Sequence, residues 1–447
     1  MRRYVYRLPL LIALLAFYSN AFSQESATPL SLQNALDFAV KNNIAVKNAQ
    51  LDVLIQEAQN AQVTAAAYPR INGQAQGTVY IDPMQSFVPG EFIGQPGSFV
   101  PVQFTPKYAS NAYISGSQLL FDGSVLVALQ ARKTIIELAK QNGKLTEEGI
   151  RYNVQKAYHS LVIAHKQFEI LQTTLGNARE MSRDIHALHE AGFTEKIDVD
   201  RTDVQINNLA SDSMRIANLL QVSEQLLKYQ MGMDIKQPIV LTDTAIDGHV
   251  LQASTLAEQT LDYNQRTDFN LLNTQQRLNE YNLKRYRYAA YPSLSAMGNM
   301  GYNYATNYFN ELFGSQYVWS SFVTLQLNVP IFNGFQRRNQ VKEAKLAIEK
   351  TKNNIENLRR TVDFQSTSAR SNLRNALLQA ESQRRNVALA AGVLDLARRK
   401  YKEGVGSNLE VTQAQTDFLQ SQNNYFNVLL NITNAEADLQ QALGQFK

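Results

Sequence analysis

No cysteine occurs in the 447 residues, which excludes disulfides, thiolate metal sites, cysteine nucleophiles and a lipidated N-terminal cysteine. Histidine is nearly as scarce: five residues carry all the imidazole chemistry available. The sequence has no phosphate-cradling glycine loop, no Gly-x-Ser-x-Gly elbow and no clustered His/Asp/Ser set, so it reads as a non-enzyme without a cofactor. Net charge is small as well. Of 43 Lys+Arg against 39 Asp+Glu, three positives (Arg2, Arg3 and Arg7) crowd the first seven residues. The near-neutral remainder lacks the basic footprint of a nucleic-acid binder. With 44% apolar residues, an extensive core or interface is available and wholesale disorder is excluded.

What is present begins with a secretory signature. A basic start, MRRYVYR, leads into the apolar stretch Leu8 to Tyr18, and Ala21-Phe22-Ser23 supplies small residues at the −3 and −1 positions. Residues 1–23 read as a signal peptide cleaved before Gln24. The apolar stretch is too short to span about 30 Å of hydrocarbon, and no later stretch is long enough to be a transmembrane helix.

The rest is one pattern written twice. Ala66-Ala67-Tyr68-Pro69 returns as Ala289-Ala290-Tyr291-Pro292, Phe121-Asp122-Gly123 as Phe332-Asn333-Gly334, and Glu190-Ala191-Gly192 as the turn at Glu403-Gly404. Gly123 to Gly192 and Gly334 to Gly404 are separated by 69 and 70 positions, and so fixed a span implies a fixed structural distance. No proline falls between Lys107 and Gln237 or after Ile331, which removes the strongest helix breaker. Apolar or small residues recur at 3-4 spacing: Val154, Ala157, Leu161, Ala164, Phe168 and Leu171 in the first copy; Val341, Ala344, Ile348, Thr351, Ile355, Leu358 and Val362 in the second. Each span therefore predicts one coiled-coil helix of about 100 Å at 1.5 Å per residue. Shorter helices are expected before each AAYP (roughly 32–67 and 256–289) and after each glycine turn.

Four segments alternate with period two instead. Ile71 to Tyr80, Ser110 to Phe121, Leu294 to Asn303 and Trp319 to Val329 each have the length of a tilted membrane strand, with one apolar and one polar face. Tyr113, Tyr302, Tyr304, Tyr317 and Trp319 sit near segment ends, where membrane-interface aromatics belong. Residues 81–107, with five of the eleven prolines, read as an exposed loop. Four strands cannot close a barrel and lipid tolerates no open edge, so chains must pool strands. A dimer gives eight and a trimer twelve. The domain plan is a first repeat at 24–240 (helix, hairpin about 70–122, long helix 124–189, tip turn 190–196, return helix), a linker at 241–255, and a second repeat at 256–447 (helix, hairpin about 293–332, long helix 335–402, tip turn 403–408, return helix).

This duplicated order of helix, AxYP, hairpin, FxG, long helix and glycine turn, with Tyr401-x-x-Gly404-x-Gly406-x-x-Leu409-Glu410-Val411 at the second turn, resembles the TolC family of outer-membrane efflux proteins across essentially the whole mature chain. The resemblance implies a mainly α fold with a membrane β-barrel. Long helices form an α-barrel tunnel in the periplasm, and a homotrimer pools its strands into a 12-stranded barrel in the outer membrane of a Gram-negative bacterium. It further implies an exit duct of a tripartite efflux or type I secretion system. The partners are a periplasmic adaptor (membrane fusion) protein and an inner-membrane pump of the RND or ABC type, with outer-membrane lipid around the barrel and no nucleic acid.

The same resemblance supplies a gate. Tyr401 matches an aperture tyrosine, Glu410 an aperture aspartate and Asp198 the acidic partner in the first repeat. A second aperture aspartate falls on Gln413 and a turn arginine on Gly406, which weakens the acidic ring and its cross-chain links. Gly192, Phe193, Gly404 and Gly406 lie in the turns that would meet the adaptor. Asp198 and Glu410 also suit helix N-termini through the dipole. His186-x-x-His189 beside Glu190 has helical spacing that could suit a metal, but no third ligand is evident and no metal is assigned. Two other classes remain: a secreted helical pore-former, which has no need of two matched copies, and a periplasmic coiled-coil scaffold, which would wash off a membrane without detergent.

Overall fold

The computed structural model describes residues 28–243, 253–312, 314 and 316–446. The expected signal peptide (1–23) and much of the expected linker (244–252) lie outside the described residues. In chain order the elements are β1 (Thr28–Leu30), α1 (Leu32–Asn42), α2 (Ile44–Ala65), β2 (Arg70–Val79), β3 (Gln85–Pro89), β4 (Phe99–Gln103), β5 (Tyr108–Phe121), α3 (Gly123–Glu190), α4 (Lys196–Met231), β6 (Ile239–Leu241), α5 (Thr267–Tyr288), β7 (Ser293–Thr306), β8 (Val318–Asn328), α6 (Gln336–Lys402) and α7 (Asn408–Leu443). The chain divides into two compact units, one of 1–52, 140–271 and 356–447, the other of 53–139 and 272–355. No helix among the described residues is long and apolar enough to cross a membrane.

The second unit is organised on an antiparallel sheet in the order β2-β5-β7-β8. Its registers decide which side chains share a face, because directly opposed residues point the same way. Ile71 opposes Gly116, Ala75 opposes Ala112, Ile114 opposes Met300, Ala112 opposes Tyr302, Leu294 opposes Leu327, Ala296 opposes Leu325 and Tyr302 opposes Trp319. The alternations of all four strands are thus in phase. One face carries Ile71, Ala75, Ile114, Leu294, Val323 and Leu325. The other carries Asn72, Gln74, Ser115, Asn299, Thr324 and Gln326, with Tyr113, Leu119, Met297 and Phe322 as aromatic or apolar exceptions. Strict alternation fails only at the end of β5, where the β5–β7 register shifts between Leu119 and Phe121, a bulge.

Residues 81–107 are more ordered than a loop. β3 and β4 pair antiparallel, Gln85 opposite Gln103 and Phe87 opposite Pro101, with a 3-10 turn at Gly90–Ile93 between them. A two-stranded ribbon has only edge strands, where proline needs no ladder donor. The prolines that argued against strands there are therefore tolerated.

The first unit is a helical core. Val154, Ala157, Tyr158 and Leu161 of α3 pack with Leu227 and Met231 of α4, Ala369 and Leu373 of α6, and Ile432 and Leu439 of α7. β1 and β6 form a short parallel pair, and the buried Tyr158 hydroxyl donates to the carbonyls of Leu30 (3.1 Å) and Asp243 (3.2 Å); burial pushes its pKa up to about 12. Neither of the front helices, the two expected before the AAYP motifs at about 32–67 and 256–289, is continuous. The first breaks at Asn43, whose side chain accepts from Ala45 N and donates to Gln230 O. The second is interrupted by a 3-10 turn at Tyr263–Gln265, started by the Asp262 side chain. At each break a return helix ends: a Cβ on Gly232, past α4, would lie 2.8 Å from Asn43 Cα, and one on Gly444, past α7, 3.0 Å from Arg266 Cγ.

Glu436 of α7 is buried with one carboxylate oxygen lacking a hydrogen-bond partner, and burial raises its pKa to about 7. A carboxyl raised in the folded state binds its proton more tightly than in the unfolded chain. Stability therefore falls as pH rises from the unfolded value near 4.5 through about 7. Glu436→Gln is expected to match the natural chain at pH 5 and to exceed it at pH 8 by up to about 3 kcal/mol. Thermal or urea unfolding at the two pH values measures this, and a constant difference between them would assign the effect to packing.

Candidate functional site: the paired glycine turns

The two turns that end α3 and α6 lie in the helical unit and close by the same backbone scheme. Gly192 (φ 80°) follows α3; its N–H donates to His189 O at 2.9 Å and Phe193 N–H to Leu188 O at 2.8 Å. Gly404 (φ 74°) follows α6; its N–H donates to Tyr401 O at 3.1 Å, and both Val405 and Gly406 N–H reach Lys400 O at 3.0 Å. These are helix terminations in which a left-handed glycine lets the next amides satisfy orphan carbonyls. Each turn then presents one apolar side chain outward, Phe193 at 81% and Val405 at 78% exposure. Gly406 is held against the helix it leaves: a Cβ there would lie 2.8 Å from Lys400 Cβ and 3.0 Å from Tyr401 N. The arginine that the resemblance would put at this position does not fit this backbone.

Asp198 sits in the first turn of α4. Its carboxylate accepts from Thr194 Oγ1 at 3.0 Å, and Arg201 lies 3.8 Å away. Its backbone carbonyl accepts from Thr202 Oγ1 (2.8 Å) and from Asn408 Nδ2 (3.0 Å), the first residue of α7. Asn408 is 2% exposed and also donates to Thr202 Oγ1 at 3.2 Å, so it ties the start of α7 to the start of α4. Tyr401 is half-buried on the cluster of Leu394, Ala397, Val411 and Ala414. Its hydroxyl pKa is raised, first by burial and then by the negative charges of Asp198 and Asp184. The charges of Asp198 and Asp184 thus act on Tyr401, although no hydrogen bond joins it to either among the described residues. Glu410 and Gln413 are not part of that group: both are exposed, Glu410 N–H donates to the capping Ser407 Oγ (3.2 Å), and Gln413 Nε2 donates to Asp417 Oδ1 (2.9 Å).

The histidines beside the first turn have local partners. His186 Nε2 meets Asp203 Oδ1 at 3.2 Å and His189 Nδ1 meets Thr194 O at 2.9 Å. Three residues escaped the sequence reading: Asn408, Thr194 and Asp184. The first follows a Ser N-cap and the second precedes Asp198 by one helical turn, both visible as local patterns. Asp184 gave no signal, since only tertiary packing sets it near Tyr401.

The aromatic residues of the sheet unit divide. Tyr302 and Trp319 face each other across β7 and β8 with ring centroids 5.0 Å apart, and Tyr317 lies 6.4 Å from Tyr302 and 5.3 Å from Tyr304. Tyr302, Tyr304 and Trp319 belong to the apolar face and, with Tyr317, gather at the connection end of the β7–β8 hairpin. Tyr113 opposes Gln74 and Gly301 on the polar face, where its hydroxyl donates to Gln74 Oε1 at 2.5 Å.

Residues 255–445 match the sequence model of the outer membrane efflux protein family. The chain is 22% identical over 428 residues to a probable efflux pump outer membrane protein, TtgC, of Pseudomonas putida, covering 93% of this chain and 83% of the relative. It is 23% identical over 408 residues to the cation efflux system protein CusC of Escherichia coli O157:H7, covering 89% and 82%. The solved structure of the outer membrane protein VceC from Vibrio cholerae superposes with a TM-score of 0.70 at 15% identity, over 92% of this chain and 96% of that one. At such identity the superposition speaks for the fold.

Proposed function

We propose, from the premise that the chain belongs to the outer membrane efflux protein family, that it is the outer-membrane exit duct of a tripartite efflux or type I secretion system and passes substrates outward without chemistry. The observation that carries this reading is the phase of the sheet. An apolar face built from all four strands and left exposed suits lipid, and the amide- and hydroxyl-rich opposite face suits a water-filled lumen. A soluble scaffold gains nothing from such a surface.

Closure follows from arithmetic. Four antiparallel strands per chain leave β2 and β8 as edges that run in opposite directions, so β8 of one copy meets β2 of the next antiparallel in any head-to-tail ring. Three copies make a 12-stranded barrel, and the long helices α3 and α6 with the stacked shorter ones make the periplasmic tunnel wall. An adaptor and an inner-membrane pump of the RND or ABC type dock at the tip, where Phe193 and Val405 offer apolar contacts beside Gly192, Gly404 and Gly406. Resistance to carbonate extraction, together with a three-fold hollow cylinder in electron micrographs of detergent-extracted particles, tests the duct. Compact or asymmetric particles would overturn it.

At the tip, Tyr401 and Asp198 hold the aperture, and three copies of exposed Glu410 favour cations in the throat. The half-buried seat of the Tyr401 ring, within reach of the charges of Asp198 and Asp184, supports this role. Tyr401→Phe and Asp198→Ala are each expected to raise the single-channel conductance of purified protein in planar bilayers several-fold. Conductance unchanged in both would remove the gate and leave the duct.

A further inference from the structure

A cleft of about 390 Å³ opens in the sheet unit between the end of α5 and the connection from β8 to α6. Arg287, Arg337 and Arg338 line it together with Ile331, Phe332 and Phe335. Among the described residues none of the three arginines forms an ion pair within 4.0 Å, whereas Arg359, Arg360 and Arg399 farther along α6 each find a carboxylate one turn away. Three uncompensated guanidinium groups around one cavity present a strong demand for an anion, and their planar forks suit phosphate oxygens.

The apolar wall of the cleft continues the proposed lipid-facing side of β8. Val323, Leu325 and Leu327 lead through Val329 to Ile331 and Phe332, which are 90% and 73% exposed. Phe335, against Phe332 with ring centroids 5.3 Å apart, holds φ at 64°, the only left-handed residue other than glycine among those described. Such a conformation costs of order 1 kcal/mol or more and recurs where a ligand or switch is held. The cleft therefore sits where the apolar face ends and positive charge begins, which is the chemical order of a phospholipid read from acyl chain to phosphate.

We propose that this cleft binds the headgroup phosphate of an anionic phospholipid, with its acyl chains along Ile331 and Phe332. The inference rests on the reading that the sheet lies in a bilayer. A diester with net charge −1 matches the arginines, whereas the ammonium of a zwitterionic headgroup would be repelled by them.

Native mass spectrometry of the full-length oligomer, exchanged into equimolar phosphatidylglycerol and phosphatidylcholine of identical chains, tests the site. The natural protein is expected to retain phosphatidylglycerol several-fold over phosphatidylcholine. The triple variant R287Q/R337Q/R338Q should return the ratio to that of the mixture, and Arg285→Gln, on the same helix but outside the cleft, should not. Should the triple variant fail to assemble, Arg338→Gln at its exposed position reads the same ratio, with a partial loss expected. Equal retention of both lipids by the natural protein overturns the proposal, as does a preference unchanged by the variants. Loss of bound lipid to millimolar inorganic phosphate also overturns it, because the site would then be a phosphate site. Failure of the membrane reading looks different: the protein would leave membranes in carbonate and retain neither lipid.

Discussion

Leu325→Arg is expected to abolish the detergent-stable oligomer, while Thr324→Arg, one residue away, leaves it intact. Leu325 is 68% exposed, opposes Ala296 and lies on the apolar face of β8, two residues past its midpoint at Val323. A cationic side chain on the lipid face near the bilayer midplane costs about 2–4 kcal/mol. A ring of three copies carries that cost three times, a total comparable to the whole stability of many domains. Thr324 opposes Met297 and points to the other face, which the proposed duct turns toward a water-filled lumen. The two variants differ in nothing but the side of the sheet, so any common effect of charge or expression cancels. The oligomer band of unheated samples on denaturing gels measures the outcome. Equal tolerance of the two would mean that the apolar face does not meet lipid.

Gly301→Ala is expected to prevent correct sheet assembly, and Gly298→Ala on the same strand to be tolerated. A Cβ at 301 would lie 2.3 Å from Ala112 O and 2.5 Å from both Cα and Cβ of Tyr113. None of these atoms is the end of a flexible side chain, so relief requires β5 and β7 to move apart where Tyr113 and Gly301 pair. The cost should exceed the ~1–3 kcal/mol of ordinary overpacking, because ladder hydrogen bonds are lost along with the contact. At 298 the nearest atoms are Phe322 O at 3.7 Å and Val323 Cγ2 at 3.9 Å, ordinary contact distances. Oligomer yield after refolding into lipid, compared between the two alanine variants, is the measurement. Equal yields would show that the strands adjust more freely than their backbone contact allows.

Much of the fold is legible in the chain because its signals are local and repeated. Absence of proline and an unbroken 3-4 spacing announce α3 and α6, and period-two runs announce β2, β7 and β8. The breaks of the front helices were hidden, since they depend on what packs there: Asn43 donates to Gln230, 187 positions away, and Arg266 bonds the carbonyls of Gln441 and Ala442 at the end of α7. The β1–β6 pair joins three-residue strands more than 200 positions apart, too short to leave a pattern. At the tip, the glycines and Asp198 could be found because turns and caps have sequence signatures. The tether through Asn408 could not, because it spans two turns some 210 positions apart. Tyr113 illustrates a different limit. Its position near a strand end grouped it with the interface aromatics, but the β2–β5 and β5–β7 registers set it on the polar face beside Gln74, and a register is a property of two strands together.

The two free edges of the sheet have a consequence for supply. Among the described residues β2 and β8 each pair with a single neighbour, so a newly secreted copy carries two rows of unsatisfied amides and carbonyls beside its apolar face. In the proposed duct only encounter with further copies would remove them, which would make ring closure a reaction of higher order in subunit concentration. Output of such ducts would then rise more steeply than in proportion to synthesis. On that proposal the rate of expression would act as a threshold control, built into a strand count of four.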